Sequence, residues 1–301
     1  MSEALIRPAR ADDADGVVAL RKLVFPYLVR GVESTRRMIS EPPPGEDWAA
    51  WVAEADGQVV GWVSAYRNTQ TSTPGVGEIA TLHVHPEHRR QGLGTALFDH
   101  AVDHVRALGS TQVRAHTRAD SLPFARRRGF EPSRELHYAA LDLRPAPPMP
   151  EPPPGVRLLP TAGLDPRRVH RVDAEASRDE PSDVPVDALD YDLWRHECWE
   201  NLGLDREAST VAEVDGELVA LSLVKRDGDR MWSDFTGTLP AYRGRGLARL
   251  TKQAALHVAA ARGVRTAYTS NDEANAPMLA INARLGYRRV ESLWACRRTL
   301  S

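Results

Sequence analysis

Apolar and polar positions alternate along "VAEADGQVVGWVSAYR" (52–67) and again along "VAEVDGELVALSLVKR" (211–226), each run broken by an Asp-Gly pair. Alternation of period two on either side of such a pair predicts a β-hairpin. Asp-Gly supplies the two positive-φ positions that a tight hairpin turn needs. Further along, the period changes. Leu93, Leu97, Ala101, Val105 and Leu108 recur on one helical face, and so do Leu247, Leu250, Ala254, Val258 and Ala261. Both stretches read as amphipathic helices, ended by Gly109 and Gly263 where a helix terminus favours glycine. A short strand, a helical stretch and a closing strand follow in each case.

These two series are one plan written twice. "HPEHRRQGLG" (85–94) matches "LPAYRGRGLA" (239–248), and "RRRGFEPSREL" (126–136) matches "ARLGYRRVESL" (283–293). Gly92 and Gly109 stand 17 residues apart, as do Gly246 and Gly263. Between the copies lies "RPAPPMPEPPPG" (144–155), with seven prolines in twelve residues. Such a segment cannot form a helix or a central strand and reads as a stiff linker. The expected organisation is therefore an N-terminal domain over 1–143, a linker over 144–155 and a C-terminal domain over 156–301. Each domain is of mixed α/β (α+β) class, a mostly antiparallel central sheet flanked by helices.

Length agrees, since 301 residues suit two domains of about 150 each. The composition is 42% hydrophobic and 27% charged with a formal net charge of −2. A nucleic-acid or anionic-membrane partner would favour a basic face, so neither is expected. No run approaches the roughly 18 apolar residues of a membrane span, and "MSEALIRPARADD" lacks the build of a signal peptide. Cys198 and Cys296 are the only cysteines, too few for a disulfide framework, which points to a reducing cytoplasm. The oligomeric state is not legible.

The glycine-rich stretches carry the candidate chemistry. A strand, then Arg-x-x-Gly-x-Gly/Ala, then a helix places unpaired N–H groups and a partial positive charge at a turn that glycines keep open. That suits a phosphate-bearing ligand, and Arg89 or Arg243 can add a charge-assisted contact. A P-loop is excluded because no Gly-Lys-Ser/Thr follows, and the dinucleotide fingerprint does not fit either. The alternative is a glycine turn that only begins a structural helix.

"VHPEHRRQGLGTAL" and "TLPAYRGRGLARL" both resemble the acyl-CoA pyrophosphate loop of the GCN5-related N-acetyltransferases (GNAT), and the resemblance spans both halves. It implies two tandem GNAT domains and acetyl-CoA as co-substrate, with no metal. It also implies a bulged strand before the loop, lying beside the pantetheine arm. The cofactor-binding set carried over in the first copy is Leu82, Val84, Arg89, Arg90, Gln91, Gly92, Leu93, Gly94 and Thr95. In the second it is Thr236, Thr238, Arg243, Gly244, Arg245, Gly246, Leu247, Ala248 and Asn275.

The copies differ where chemistry is expected. Gly109 to Gly129 is 20 residues and Gly263 to Gly286 is 23, so the first copy has lost about one helical turn. The family often carries a Tyr acid four residues before the closing Gly; here that position holds Asn282, and Ala125 in the first copy. An amide cannot act as a general acid, so Asn282 reads as a hydrogen bonder on the cofactor side. The second copy is taken as catalytic and the first as degenerate. The expected base is Asp234, four residues before Thr238 on the same strand face. Glu78, six residues before Val84, is the acid on the strand that precedes the first loop, and Glu273 is a spare.

The implied reaction is acetyl transfer to a primary amine of a small molecule or peptide by direct attack in a ternary complex. The tandem layout also resembles the mycothiol synthases, from which this chain departs at Asn282 and in its Pro-rich linker. A non-catalytic acetyl-CoA sensor or scaffold is the alternative from another class. His83, His85 and His88 sit at a strand-to-loop turn without further ligands and are not read as a metal site. "LWRHECWE" (193–200) reads as an amphipathic helix with Trp194 and Cys198 facing the core or lining a substrate wall. The acidic "SRDEPSDVPVD" (177–187) reads either as a loop that attracts a cationic acceptor or as a solvated loop only.

Overall fold

The structure, a computed structural model, describes residues 4–187 and 189–300. They fall into two compact units. Unit 1 runs up to Leu136 and takes in the residues from Ser292 on, and unit 2 is His137–Glu291.

Unit 1 is built from β1 (Leu5–Pro8), α1 (Ala14–Val24), α2 (Val32–Ser40), β2 (Ala49–Ala55), β3 (Gln58–Arg67), β4 (Val76–Val84), α3 (Leu93–Ala107), β5 (Gln112–Arg118), a short α4 (Leu122–Arg126) and the start of β6 (Glu131–Asp142). Strands β1 to β4 are joined antiparallel, and β4 pairs parallel with β5. The hairpin turn forms as the alternation predicts, with Asp56 at φ 50° and Gly57 at φ 75°. On α3, Leu97, Ala101 and Val105 are fully buried among Val63, Ala65, Ile79 and Val113. Gly61 lets this helix approach, since a Cβ there would lie 2.8 Å from Leu97 Cδ1.

Unit 2 repeats the plan with β7 (Val156–Pro160), α5 (Pro166–Ser177), α6 (Tyr191–Trp194), β8 (Thr210–Val214), β9 (Glu217–Asp227), β10 (Arg230–Thr238), α7 (Leu247–Ala261), β11 (Thr266–Asp272), α8 (Ala276–Leu285) and the start of β12 (Arg288–Thr299). Strands β7 to β10 are antiparallel neighbours, and β10 pairs parallel with β11. The second Asp-Gly turn has φ 49° at Asp215 and 82° at Gly216.

Two features depart from the expected layout. Each copy was expected to close its own sheet, yet β12 pairs from Leu293 to Thr299 with β5, antiparallel and inside unit 1. An antiparallel closing strand satisfies the same edge whichever copy supplies it, and β6 and β12 have similar patterns. Second, the Pro-rich segment forms no helix or strand, as expected, but it falls within unit 2. The Gln253 amide donates to Pro148 O at 3.0 Å and His257 Nδ1 lies 2.8 Å from Pro147 O, both from α7.

Candidate active site

In unit 2, β10 and β9 are paired one to one from Arg230↔Asp227 to Ser233↔Val224. Pairing resumes at Phe235↔Leu223, which leaves Asp234 as the extra residue of a β-bulge. A bulge turns the local backbone out of the ladder and re-aims a side chain. The half-buried Asp234 carboxylate receives Lys225 Nζ at 2.8 Å.

Beyond Thr238 the chain enters the glycine loop. Gly244 and Gly246 take φ 77° and 76°, and at Gly246 a side chain would meet open space. Glycine is needed there for its left-handed backbone, which a Cβ would disfavour by about 1–2 kcal/mol. Arg243 braces the loop: its Nε donates to Thr238 O at 3.2 Å and a terminal nitrogen to Asp179 at 2.6 Å. The expected phosphate contact by Arg243 therefore competes with Asp179 of the acidic 177–187 loop. Helix α7 starts at Gly246 with no capping side chain and no acid in its first turn. By contrast α5, α6 and α8 are capped by Asp165, Asp190 and Asn275. The start of α7 thus keeps its donors and its positive end free for an anion.

Two buried acceptors flank this loop and α8. Thr238 Oγ1 and Asn282 Oδ1 are buried without a hydrogen-bond partner, although Asn282 Nδ2 donates to Asn271 Oδ1 at 2.6 Å. A buried polar atom left unpaired costs about 1–3 kcal/mol, so both fit a ligand that brings donors or acceptors. The amide- and hydroxyl-bearing arm of CoA is such a ligand. Thr236 Oγ1 is already matched with Ser222 Oγ at 3.0 Å. Asn275, carried over as a cofactor residue, spends its side-chain oxygen on the amide of Met278 at 3.3 Å as the cap of α8.

Comparison with known proteins agrees with this arrangement. The description of the acetyltransferase (GNAT) family matches residues 19–130 and again 170–287. The chain belongs to the acetyltransferase (GNAT) family. A mycothiol acetyltransferase of Amycolatopsis mediterranei is 32% identical over 254 residues, covering 80% of this chain and 81% of the relative. One from Catenulispora acidiphila is 28% identical over 293 residues, covering 93% and 89%. Among solved structures, a tandem GNAT protein from the clavulanic acid biosynthesis pathway superposes with a TM-score of 0.76 at 22% identity, covering 99% of this chain and 98% of that one. A GCN5-related N-acetyltransferase of Sphaerobacter thermophilus gives 0.74 at 22% identity, with 98% and 95% covered. At these identities the structures share the fold.

Sequence reasoning missed one group beside the GNAT bulge. Asp173 of α5 is 5% exposed. It accepts from Trp194 Nε1 at 2.7 Å and from Ser177 Oγ at 3.3 Å. Burial pushes its carboxyl up to about 7, with the nearby Asp234 charge adding to the rise. Burial also pushes the Cys198 thiol up, Asp173 again contributing, so this cysteine is a poor thiolate. The only trace in the sequence was an acid among the apolar positions of α5, where Val169 and Val172 are fully buried.

The aromatic wall around Asp173 departs from the expected regular helix. After α6 the chain makes a single π turn over Arg195–Trp199. Residues five apart do not share a face of an α-helix, but a widened turn brings them together. Trp194 and Trp199 consequently stack at 5.9 Å with an interplanar angle of 25°, and Cys198 is buried beside them.

The first GNAT unit keeps the loop and a strand bulge before it, with Thr81 and Leu82 at the bulge where unit 2 has Asp234. Arg89 Nε donates to Val84 O at 3.1 Å, the same brace as Arg243. Gly92 has φ 88° and α3 starts uncapped. Arg90 takes φ 63° where unit 2 has a glycine. Leu82, Val84 and Leu93 are half-buried against the core, while Gln91 and Thr95 are exposed. Gly94 has Val84 and Phe124 at ordinary contact distance, room for the Ala248 that unit 2 carries there. The bulge in β4 lies at Thr81 and Leu82, between the pairs Ser64↔Ala80 and Trp62↔His83. Glu78 does not reach it. Its carboxylate is buried against Arg114 at 3.2 Å and accepts from Asn68 at 2.8 Å. Burial, aided by Arg21 and Arg89, pushes His83 down to about 4, so it is neutral near pH 7.

Proposed function

We propose that this chain transfers the acetyl group of acetyl-CoA to a primary amine of a small molecule by direct attack, and that unit 2 carries the chemistry. The observation behind the reading is the Asp234 bulge, on the strand that leads into an uncapped helix start and carries Thr238, one of two buried polar atoms without partners. The two catalytic-fold domains are units 1 and 2 as described above, the first degenerate. The acceptor acetylated by the mycothiol acetyltransferases is the first to try, because those relatives align over most of the chain.

Acetyl-CoA supplies an activated thioester, and the chain's own residues do the rest. The first-turn amides of α7 and the glycine loop hold the pyrophosphate. Thr238 Oγ1 and Asn282 take hydrogen bonds along the arm. A main-chain N–H freed by the bulge faces the developing oxyanion, where a preorganised donor contributes most. Asp234 accepts the proton that an ammonium acceptor must shed, directly or through water. Lys225 pairs with Asp234 at 2.8 Å, and Asp173 takes up a proton as pH falls toward 7. Thiolate departure needs no strong acid, since a thiol has a pKa near 8.5, which is consistent with Asn282 replacing a tyrosine.

Asp234→Asn tests the assignment. The expected result is a kcat lower by roughly 10²-fold or more, with acetyl-CoA affinity by calorimetry unchanged. An unchanged kcat removes Asp234 from the mechanism, and a wild-type protein that neither binds nor consumes acetyl-CoA removes the reading.

A further inference from the structure

Lys252 lies on α7 with 1% of its surface exposed. Among the described residues no carboxylate pairs with it, and burial is the one cause that pushes its pKa down to about 7. Its Nζ donates to Thr269 Oγ1 at 3.4 Å and sits 5.0 Å from the centre of the Tyr287 ring. Thr269 Oγ1 in turn lies 3.5 Å from Ser233 O, and Ser233 Oγ lies 3.1 Å from Tyr287 OH. The four residues come from α7, β10, β11 and the chain just after α8, and they meet immediately before the bulged Asp234.

The internal repeat provides a control. At the matching positions unit 1 has Phe98, Ile79, Ala115 and Phe130, all in its apolar core, with Phe98 and Phe130 edge to face at 6.0 Å. There the parallel ladder of β4 and β5 runs through Val76, Gly77 and Glu78 to the pair Ile79↔Ala115. In unit 2 the ladder of β10 and β11 runs from Arg230↔Thr266 only to Trp232↔Tyr268. The next pair would be Ser233 and Thr269, two members of the quartet. A carbonyl leaving a ladder needs another partner, and the Thr269 hydroxyl is the group nearest to hand. The two units thus share a fold but part their strands at different depths, and the difference coincides with an apolar quartet exchanged for a polar one.

We propose that Lys252, Thr269, Ser233 and Tyr287 form a positioning network that releases β10 from β11 one residue early and so presents the Asp234 bulge to the acyl group. This rests on the reading of unit 2 as the acetyl-transfer site. Lys252 acts through Thr269 and touches no substrate. Facing it are Ser233 from β10, Thr269 from β11 and Tyr287, whose hydroxyl burial keeps in its neutral form. A lysine that is neutral above pH 7 when folded, but holds its proton to about 10.4 when unfolded, releases that proton on folding. Stability from this group therefore rises with pH across that window.

The test replaces Lys252 by Phe, the residue unit 1 uses, and in a second variant Thr269 by Val, which removes one hydroxyl at nearly constant volume. The expected results for each are amide exchange at 233–236 slowed about tenfold as the strands re-pair and kcat lowered about tenfold or more, with KM for acetyl-CoA little changed. Lys252→Phe also flattens the rise in Tm between pH 7 and 9. Wild-type exchange and kcat in the folded variants overturn the network. If wild-type protein shows no acetyl-CoA turnover, the acetyl-transfer reading fails by itself, while the exchange arm still decides whether the quartet parts the strands.

Discussion

At the scale of single residues, the chemistry around the bulge is a matter of two carboxylates in unlike surroundings. Asp234 is half-buried and paired with Lys225, whereas Asp173 is buried beneath Trp194 and pushed up to about 7. A carboxyl perturbed by burial beside a candidate base is the kind of group that clusters at functional sites. The sign of the stability effect follows. An unfolded Asp loses its proton near 3.9 and the folded Asp173 near 7. Between those values the native state holds the extra proton, and stability falls as pH rises. Asp173→Asn should therefore flatten the decline in Tm between pH 4.5 and 7 expected from this group. Equal slopes for the two proteins by scanning calorimetry would show that Asp173 is not the group responsible. That Asp234 lies on the strand leading into the loop was legible from its spacing. Asp173 was not, because its meaning comes from an indole 21 residues away in sequence.

At the scale of elements, the loop-helix unit was almost wholly readable. Glycines at 92, 244 and 246 stand where the backbone takes positive φ, and both helices begin without a cap. Gly246→Val places a β-branched residue in that conformation, although nothing obstructs its side chain. We expect KM for acetyl-CoA to rise about tenfold or more, equivalent to about 1.4 kcal/mol, with a smaller change in kcat. Wild-type kinetics would show that the loop takes no part in binding. The role of Arg243 was less legible. Its spacing suggested a phosphate ligand, while the structure commits Nε to the Thr238 carbonyl, a contact that follows from how the strand end and loop fold back. The π turn after α6 was hidden for a similar reason. Trp194, Cys198 and Trp199 fit no single helical face, and core burial of all three widened the turn.

At the scale of the molecule, the last strand is the least expected piece. Residues 293–299 complete the sheet of unit 1 through a seven-residue register with β5, and Cys296 and Leu300 are buried in its core. Truncation after Glu291 should speed amide exchange along β5 and lower the melting of unit 1. Unchanged protection of residues 112–118 would indicate that another segment serves as that strand. Among the described residues no helix is long and apolar enough to cross a membrane.

What the sequence by itself determined is whatever depends on near neighbours along the chain: two hairpins with Asp-Gly turns, two glycine loops opening two amphipathic helices, the duplication, and through these the acetyltransferase family. Periodicity and turn chemistry act over a few residues, so they can be read one segment at a time. Only the tertiary structure decided which closing strand completes which sheet, that Asp173 and Asp234 share a field, and that Lys252 lies buried where unit 1 has a phenylalanine. Strand exchange leaves the hydrogen-bonding pattern of an edge unchanged, and desolvation exists only once distant elements have closed around a charge.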